Sequence, residues 1–159
     1  MNNTVTAEIM SWLVMSAAQS TFTSGGVTRV ESRNPLKDAY PMSHTTPDNV
    51  TEYEPEEVQA LLAEGKILLV DVREPMEYAA ERIPGALLYP LSSFDASQLP
   101  PDGARQVVFS CAAGGRSLTA ARQRMALGQP AAHLAGGISQ WKAEGLPVVR
   151  IDPRTGRPV

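Results

Sequence analysis

Two short apolar runs restrict the fold more than any other feature of the chain. Ile67-Leu68-Leu69-Val70-Asp71-Val72 is too short for a buried helix, and its apolar side chains do not alternate with polar ones. Such a run suits a strand covered on both faces. Gln106-Val107-Val108-Phe109-Ser110 reads the same way. Covered strands need helices above and below, and helical signals stand between the runs. Residues 55–64 place proline in a first turn, acids near the start and Val58, Leu61 and Leu62 on one stripe, with Gly65 at the end. Residues 74–82 read as a short helix stopped by Pro84-Gly85, and 118–127 as a helix ended by Gly128 and Pro130. Residues 86–89 and 131–134 read as further strands. Ser92 reads as the cap of a helix through about Leu99, and 138–144 as a last helix holding Trp141. Strands alternating with helices imply an α/β fold, with a mostly parallel sheet and helices on both faces. Ligands in such folds bind beyond the carboxyl ends of the strands.

The stretch Cys111-Ala112-Ala113-Gly114-Gly115-Arg116-Ser117 lies at one such end and carries the one cysteine of the chain. The glycines let the loop curl with its N–H groups inward, and a helix N-terminus follows. Both favour negative charge, so a thiol there ionises readily. Arg116 adds a fixed charge that can fork an oxyanion, and Ser117 can donate one more hydrogen bond to the thiolate. A lone cysteine without context is usually a small buried hydrophobe. The order of strand, cysteine, small residues, glycines, arginine, serine and helix instead points to a nucleophilic cysteine in an anion cradle, with Ala112, Ala113, Gly114, Gly115, Arg116 and Ser117 around the substrate.

Composition narrows the partners. With 43% apolar and 19% charged residues among 159, the chain has enough to pack one core and leave a tail. The net charge of -3 without a basic run argues against nucleic acid or an acidic membrane as main partner. No apolar run reaches the roughly 18 residues of a spanning helix. One cysteine excludes an internal disulfide and a second resolving thiol. His44 and His133 lie far apart and make no metal-ligand spacing with it, so no cofactor is expected. Residues 51–150 form the expected domain and 151–159 a polar tail. Residues 1–50, rich in Ser, Thr, Asn and Pro, read as an N-terminal extension, disordered or cloning-derived, with Met42 a second plausible start. The apolar segment 9–18 is preceded by Glu8 and no basic residue, which fits an amphipathic or disordered stretch better than a signal peptide. His44 is expected to face solvent.

Four blocks in order resemble single-domain rhodanese-like sulfurtransferases: Leu69-Val70-Asp71-Val72-Arg73-Glu74-Pro75 with Glu77-Tyr78, Ile83-Pro84-Gly85-Ala86, Cys111 with Gly114 and Arg116-Ser117, and Leu134-Ala135-Gly136-Gly137-Ile138 with Trp141 and Gly145-Leu146-Pro147-Val148. The resemblance covers about residues 52–149. Arg82 stands where many members have His. The resemblance implies a flavodoxin-like α/β fold and a cytoplasmic enzyme that carries sulfane sulfur on a Cys111 persulfide. Thiosulfate or a persulfide would donate; cyanide, a small thiol or a protein sulfur acceptor would receive from outside the chain. It implies that Asp71 and Arg73 act as a buried pair supporting nearby loops. Trp141, the Gly136-Gly137 turn and His133 are expected to be structural.

Two other readings stay open at this stage. A cysteine phosphatase or arsenate reductase would resemble C-x5-R, whereas Arg116 stands five positions after Cys111 and gives a ring smaller by one residue. A non-catalytic binding or regulatory module could use the same scaffold, although such modules often lack the cysteine.

Overall fold

Neighbouring strands of the main sheet run parallel except at one edge. The computed structural model describes residues 44–159 apart from 47, 48, 102, 104, 153 and 158, so the reading of the N-terminal extension before residue 44 lies outside the described residues. Strands β1 (His44–Thr45), β2 (Thr51–Tyr53), β3 (Ile67–Asp71), β5 (Leu87–Leu88), β6 (Gln106–Ser110) and β7 (Ala132–Leu134) form the sheet in the order β1-β2-β7-β6-β3-β5. β1 pairs antiparallel with β2, and every other pair is parallel. A two-stranded ladder joins β4 (Glu81–Arg82) to β8 (Val149–Arg150). Helices α1 (Pro55–Ala63), α2 (Pro75–Ala80), α3 (Gly115–Ala126) and α4 (Gly137–Ala143) connect the strands. The expected α/β architecture with a mostly parallel sheet is present.

The alternation of side chains along the strands separates two apolar layers. Ile67, Leu69 and Val108 meet Val58 and Leu61 of α1 and Ile138 and Trp141 of α4 on one face. Val70, Val72, Val107 and Phe109 meet Ala120 and Ala121 of α3 on the other, with Leu91, Phe94 and Leu99 closing that layer. Both central strands are therefore buried on either side, which is why their sequences show no polar alternation.

Several boundaries differ from the sequence reading. The helix expected from Ser92 to about Leu99 is two 3-10 turns, Leu91–Ser93 and Ala96–Gln98. Asp95 breaks the segment, because its side chain accepts the Ser97 amide at 2.9 Å and starts a new turn. Ser92 instead donates its hydroxyl to Glu74 Oε2 at 2.9 Å. The helix expected over 74–82 stops at Ala80, since Glu81 and Arg82 leave in extended form to pair with Arg150 and Val149. Arg150, the last residue of the expected domain, is thus part of a strand. His44 is exposed, as expected. Among the described residues no helix is long and apolar enough to cross a membrane.

Candidate active site

β3 and β6 lie side by side in register, with Asp71 opposite Ser110, so the segments that leave their carboxyl ends share one rim. The chain after Ser110 turns at Cys111 and enters α3 at Gly115, three residues earlier than the helical pattern suggested. Gly114 makes this possible: it caps the helix with φ 95°, a left-handed conformation that costs a side-chain-bearing residue dearly. Arg116 and Ser117 consequently lie in the first turn of the helix.

Cys111 is only 2% exposed and its carbon atoms pack with the apolar layer on the α3 side. Its sulfur faces polar groups. The Gly114 N–H donates to Sγ at 3.1 Å, and Ser117 Oγ lies 3.5 Å away. Burial, the largest single influence, pushes the thiol up. The Ser117 hydroxyl and the amides of Ser117, Ala113 and Gly114 together outweigh it and hold the thiol below its ordinary value.

The turn between β7 and α4 aims those amides. Gly136 and Gly137 both have positive φ, 58° and 60°. The following amides, Ile138 N–H and Ser139 N–H, donate to the carbonyls of Cys111 and Ala112 at 2.8 and 3.0 Å. A planar trans peptide points its N–H opposite its C=O. Holding the Ala112 carbonyl therefore turns the Ala113 N–H toward the sulfur. A Cβ on Gly137 would lie 2.4 Å from the Cys111 carbonyl oxygen, so the close approach itself requires glycine. Trp141, buried on α4, donates Nε1–H to Pro147 O at 2.8 Å and anchors that helix.

Two arginine–carboxylate forks flank the loop. Asp71 accepts from the Arg73 backbone N–H at 3.0 Å and from its Nη2 at 2.6 Å, and the same Nη2 reaches Glu81 O at 2.7 Å. Both residues are buried, and the pair ties the end of β3 to the start of β4. Arg116, singled out in the sequence as an oxyanion clamp, is engaged elsewhere. Its Nη1 and Nη2 each donate to Glu77 at 2.7 Å, one per carboxylate oxygen. Glu77 stands in the first turn of α2 and also accepts the Glu74 N–H at 3.1 Å, so it reaches across from a fixed position. The Arg116 fork holds the Glu77 carboxyl down to about 2.

The sequence reading did not single out Glu77 as a site residue, and it took the Gly136-Gly137 turn as structural, without its link to the Cys111 and Ala112 carbonyls. In the sequence Glu77 stands in the first resemblance block and as an N3 glutamate behind Pro75, and neither signal hints at its partner. The sequence reading took His133 as structural. His133 is buried on β7, and its Nδ1 lies 3.4 Å from Ser117 Oγ.

A profile of the rhodanese-like domain matches residues 54–144. A sulfurtransferase of Allochromatium vinosum is 39% identical over 104 residues, covering 63% of this chain and 95% of that protein. An uncharacterised protein of Synechocystis is 39% identical over 110 residues, covering 69% of this chain but 61% of its own length. A solved human single-domain sulfurtransferase matches at 31% identity with a TM-score of 0.52, over 60% of this chain and 97% of the other.

Proposed function

The chain belongs to the rhodanese-like family, and from that membership we propose that it transfers sulfane sulfur through a persulfide on Cys111. One observation carries the reading: a buried sulfur receives the Gly114 amide at 3.1 Å and has the Ser117 hydroxyl at 3.5 Å. These donors lower the cost of an anionic sulfur, first as thiolate and then as persulfide. The Cys111 thiolate attacks the outer sulfur of thiosulfate or of a persulfide donor. The S–S bond of the donor breaks, its electrons leave with sulfite or thiolate, and the Cys111 S–S bond forms. An external cyanide or thiol then attacks the outer sulfur and the Cys111 thiolate leaves, so two displacements balance without a redox partner. Ala112, Ala113 and Gly115 carry at most a methyl group and are not buried, which leaves that side of the loop open to donor and acceptor. Gly114 and Ser117 hold the charge. Arg116, paired with Glu77, sets the loop position and leaves its outer N–H groups for the donor. Asp71 and Arg73 support the neighbouring segment. A thiol that must stay reduced suits the cytoplasm.

The short ring after Cys111 disfavours a phosphoryl substrate, and the intact cradle disfavours a purely non-catalytic module. Intact mass after incubation with thiosulfate tests the reading. We expect the gain of one sulfur atom, its loss on adding cyanide, and neither event in Cys111→Ser, with folding retained. Normal sulfur transfer by Cys111→Ser would refute it.

A further inference from the structure

The cradle continues inward beyond Ser117. Ser117 Oγ donates to Gly114 O at 2.8 Å, and it also lies 3.5 Å from Cys111 Sγ and 3.4 Å from His133 Nδ1. The hydroxyl has one proton for three acceptors. Across the ring, His133 Nε2 makes no aligned hydrogen bond and stands 3.4 Å from Glu52 Oε1. Glu52 and His133 are register partners on β2 and β7, so the backbone ladder fixes this approach. Ser117, His133 and Cys111 are each no more than 3% exposed, whereas the Glu52 side chain is 33% exposed. The four residues thus make a continuous polar line from the buried sulfur to the surface of the sheet.

We propose that His133 is a positioning residue for Cys111, which with Glu52 on one ring nitrogen governs through the other where the Ser117 hydroxyl proton points. The proposal rests on Cys111 being the sulfur carrier. An ionised Glu52 only accepts, so it draws the imidazole proton to Nε2. Nδ1 of the neutral ring is then an acceptor and competes with the sulfur for the Ser117 proton. When His133 gains a second proton, Nδ1–H donates to Ser117 Oγ, and the hydroxyl proton is left to Gly114 O and the sulfur. Protonated His133 therefore strengthens the cradle, and neutral His133 relaxes it.

Three influences set this switch from the elements packed around the ring. Burial acts most strongly and pushes the imidazole below its ordinary value; Glu52 on β2 opposes it, and Arg122 on α3 adds to it. His44, the register partner of Glu52 on β1, is exposed. The net effect holds the ring below its ordinary value, so the proton on His133 is the more easily lost as pH rises.

The test is the pH profile of Cys111 alkylation by iodoacetamide in the full chain, which needs no sulfur transfer. The wild type should show two inflections, the lower matching the His133 ring titration followed by NMR. In His133→Leu the lower inflection should vanish and acid-side alkylation fall about three- to tenfold, the worth of one ordinary hydrogen bond. His133→Asn, whose amide can donate to Ser117 Oγ at every pH, should restore the rate without the inflection. Should the His133 variants not fold, Glu52→Gln keeps the ring and should move the lower inflection to more acid pH. A single inflection in the wild type, or a profile unchanged in these variants, overturns the role of His133. Absence of a thiosulfate-derived persulfide beside a two-step alkylation profile would instead fault the proposed function and leave the relay standing.

Discussion

Two arginine–carboxylate forks of similar geometry stand at one rim and do different work. Asp71–Arg73 spans two residues of one segment, with side chains 2% and 4% exposed. Glu77–Arg116 joins α2 to α3, with side chains 38% and 36% exposed. The first pair is out of water, so neither charge tolerates loss of its partner. The second is screened by solvent, and its worth lies in where it holds a charge rather than in stability. Exposure, not hydrogen-bond length, separates a structural pair from a tunable one.

The largest expected effect tests the buried fork. Asp71→Ala strands the Arg73 guanidinium and removes the acceptor of its backbone N–H; thermal or urea unfolding should show a loss of about 3–5 kcal/mol. A loss comparable to that of an exposed pair would erase the distinction. Next comes a change outside both forks, in the turn that aims the amides. Gly137→Ala meets the Cys111 carbonyl at 2.4 Å from a positive-φ position, and we expect about 1–3 kcal/mol of destabilisation together with slower persulfide formation by mass spectrometry. If alkylation and persulfide rates stay at the wild-type level, the turn does not aim the cradle.

Glu77→Gln sharpens the comparison from the exposed side. Glutamine keeps the cap on the Glu74 amide and releases Arg116 from its counter-charge. Stability should change by under about 1 kcal/mol, while KM for thiosulfate should fall because a freed guanidinium meets an anionic donor at the mouth. An unchanged KM would remove Arg116 from donor binding. The smallest effect is acid sensitivity. The Glu77 carboxyl lies lower in the folded chain than its ordinary 4.5, at about 2. Its contribution to stability is therefore present above about pH 4.5 and lost as pH falls toward 2. In Glu77→Gln the unfolding midpoint should lose that part of its acid dependence, as scanning fluorimetry between these pH values would reveal.

Local signals made much of the fold legible. β6 runs over Gln106–Ser110 as its apolar pattern indicates, and α1 begins at Pro55, where proline and acids mark a first turn. Both features depend on neighbours in the chain. β4 and β8 were missed because each is two residues long and exists only through the other. β2, at Thr51–Tyr53, was missed for the same reason: its identity comes from pairing with β7. The short helix after Ser92 failed because Asp95 offers its side chain to the backbone, a competition that composition alone does not rank.

Sequence by itself determined that one cysteine stands between a covered strand and a helix N-terminus, since strand, glycines and helix are encoded by adjacent residues. Only the tertiary structure decided what surrounds that sulfur. Glu77 captures Arg116 from 39 positions away, and Ile138 and Ser139 hold the carbonyls that turn the amides inward. His133 reaches Ser117 across a sheet whose order no local pattern states. Hydrogen bonds act over about 3 Å of space and are indifferent to separation along the chain, so only the folded backbone can say which donors and acceptors meet.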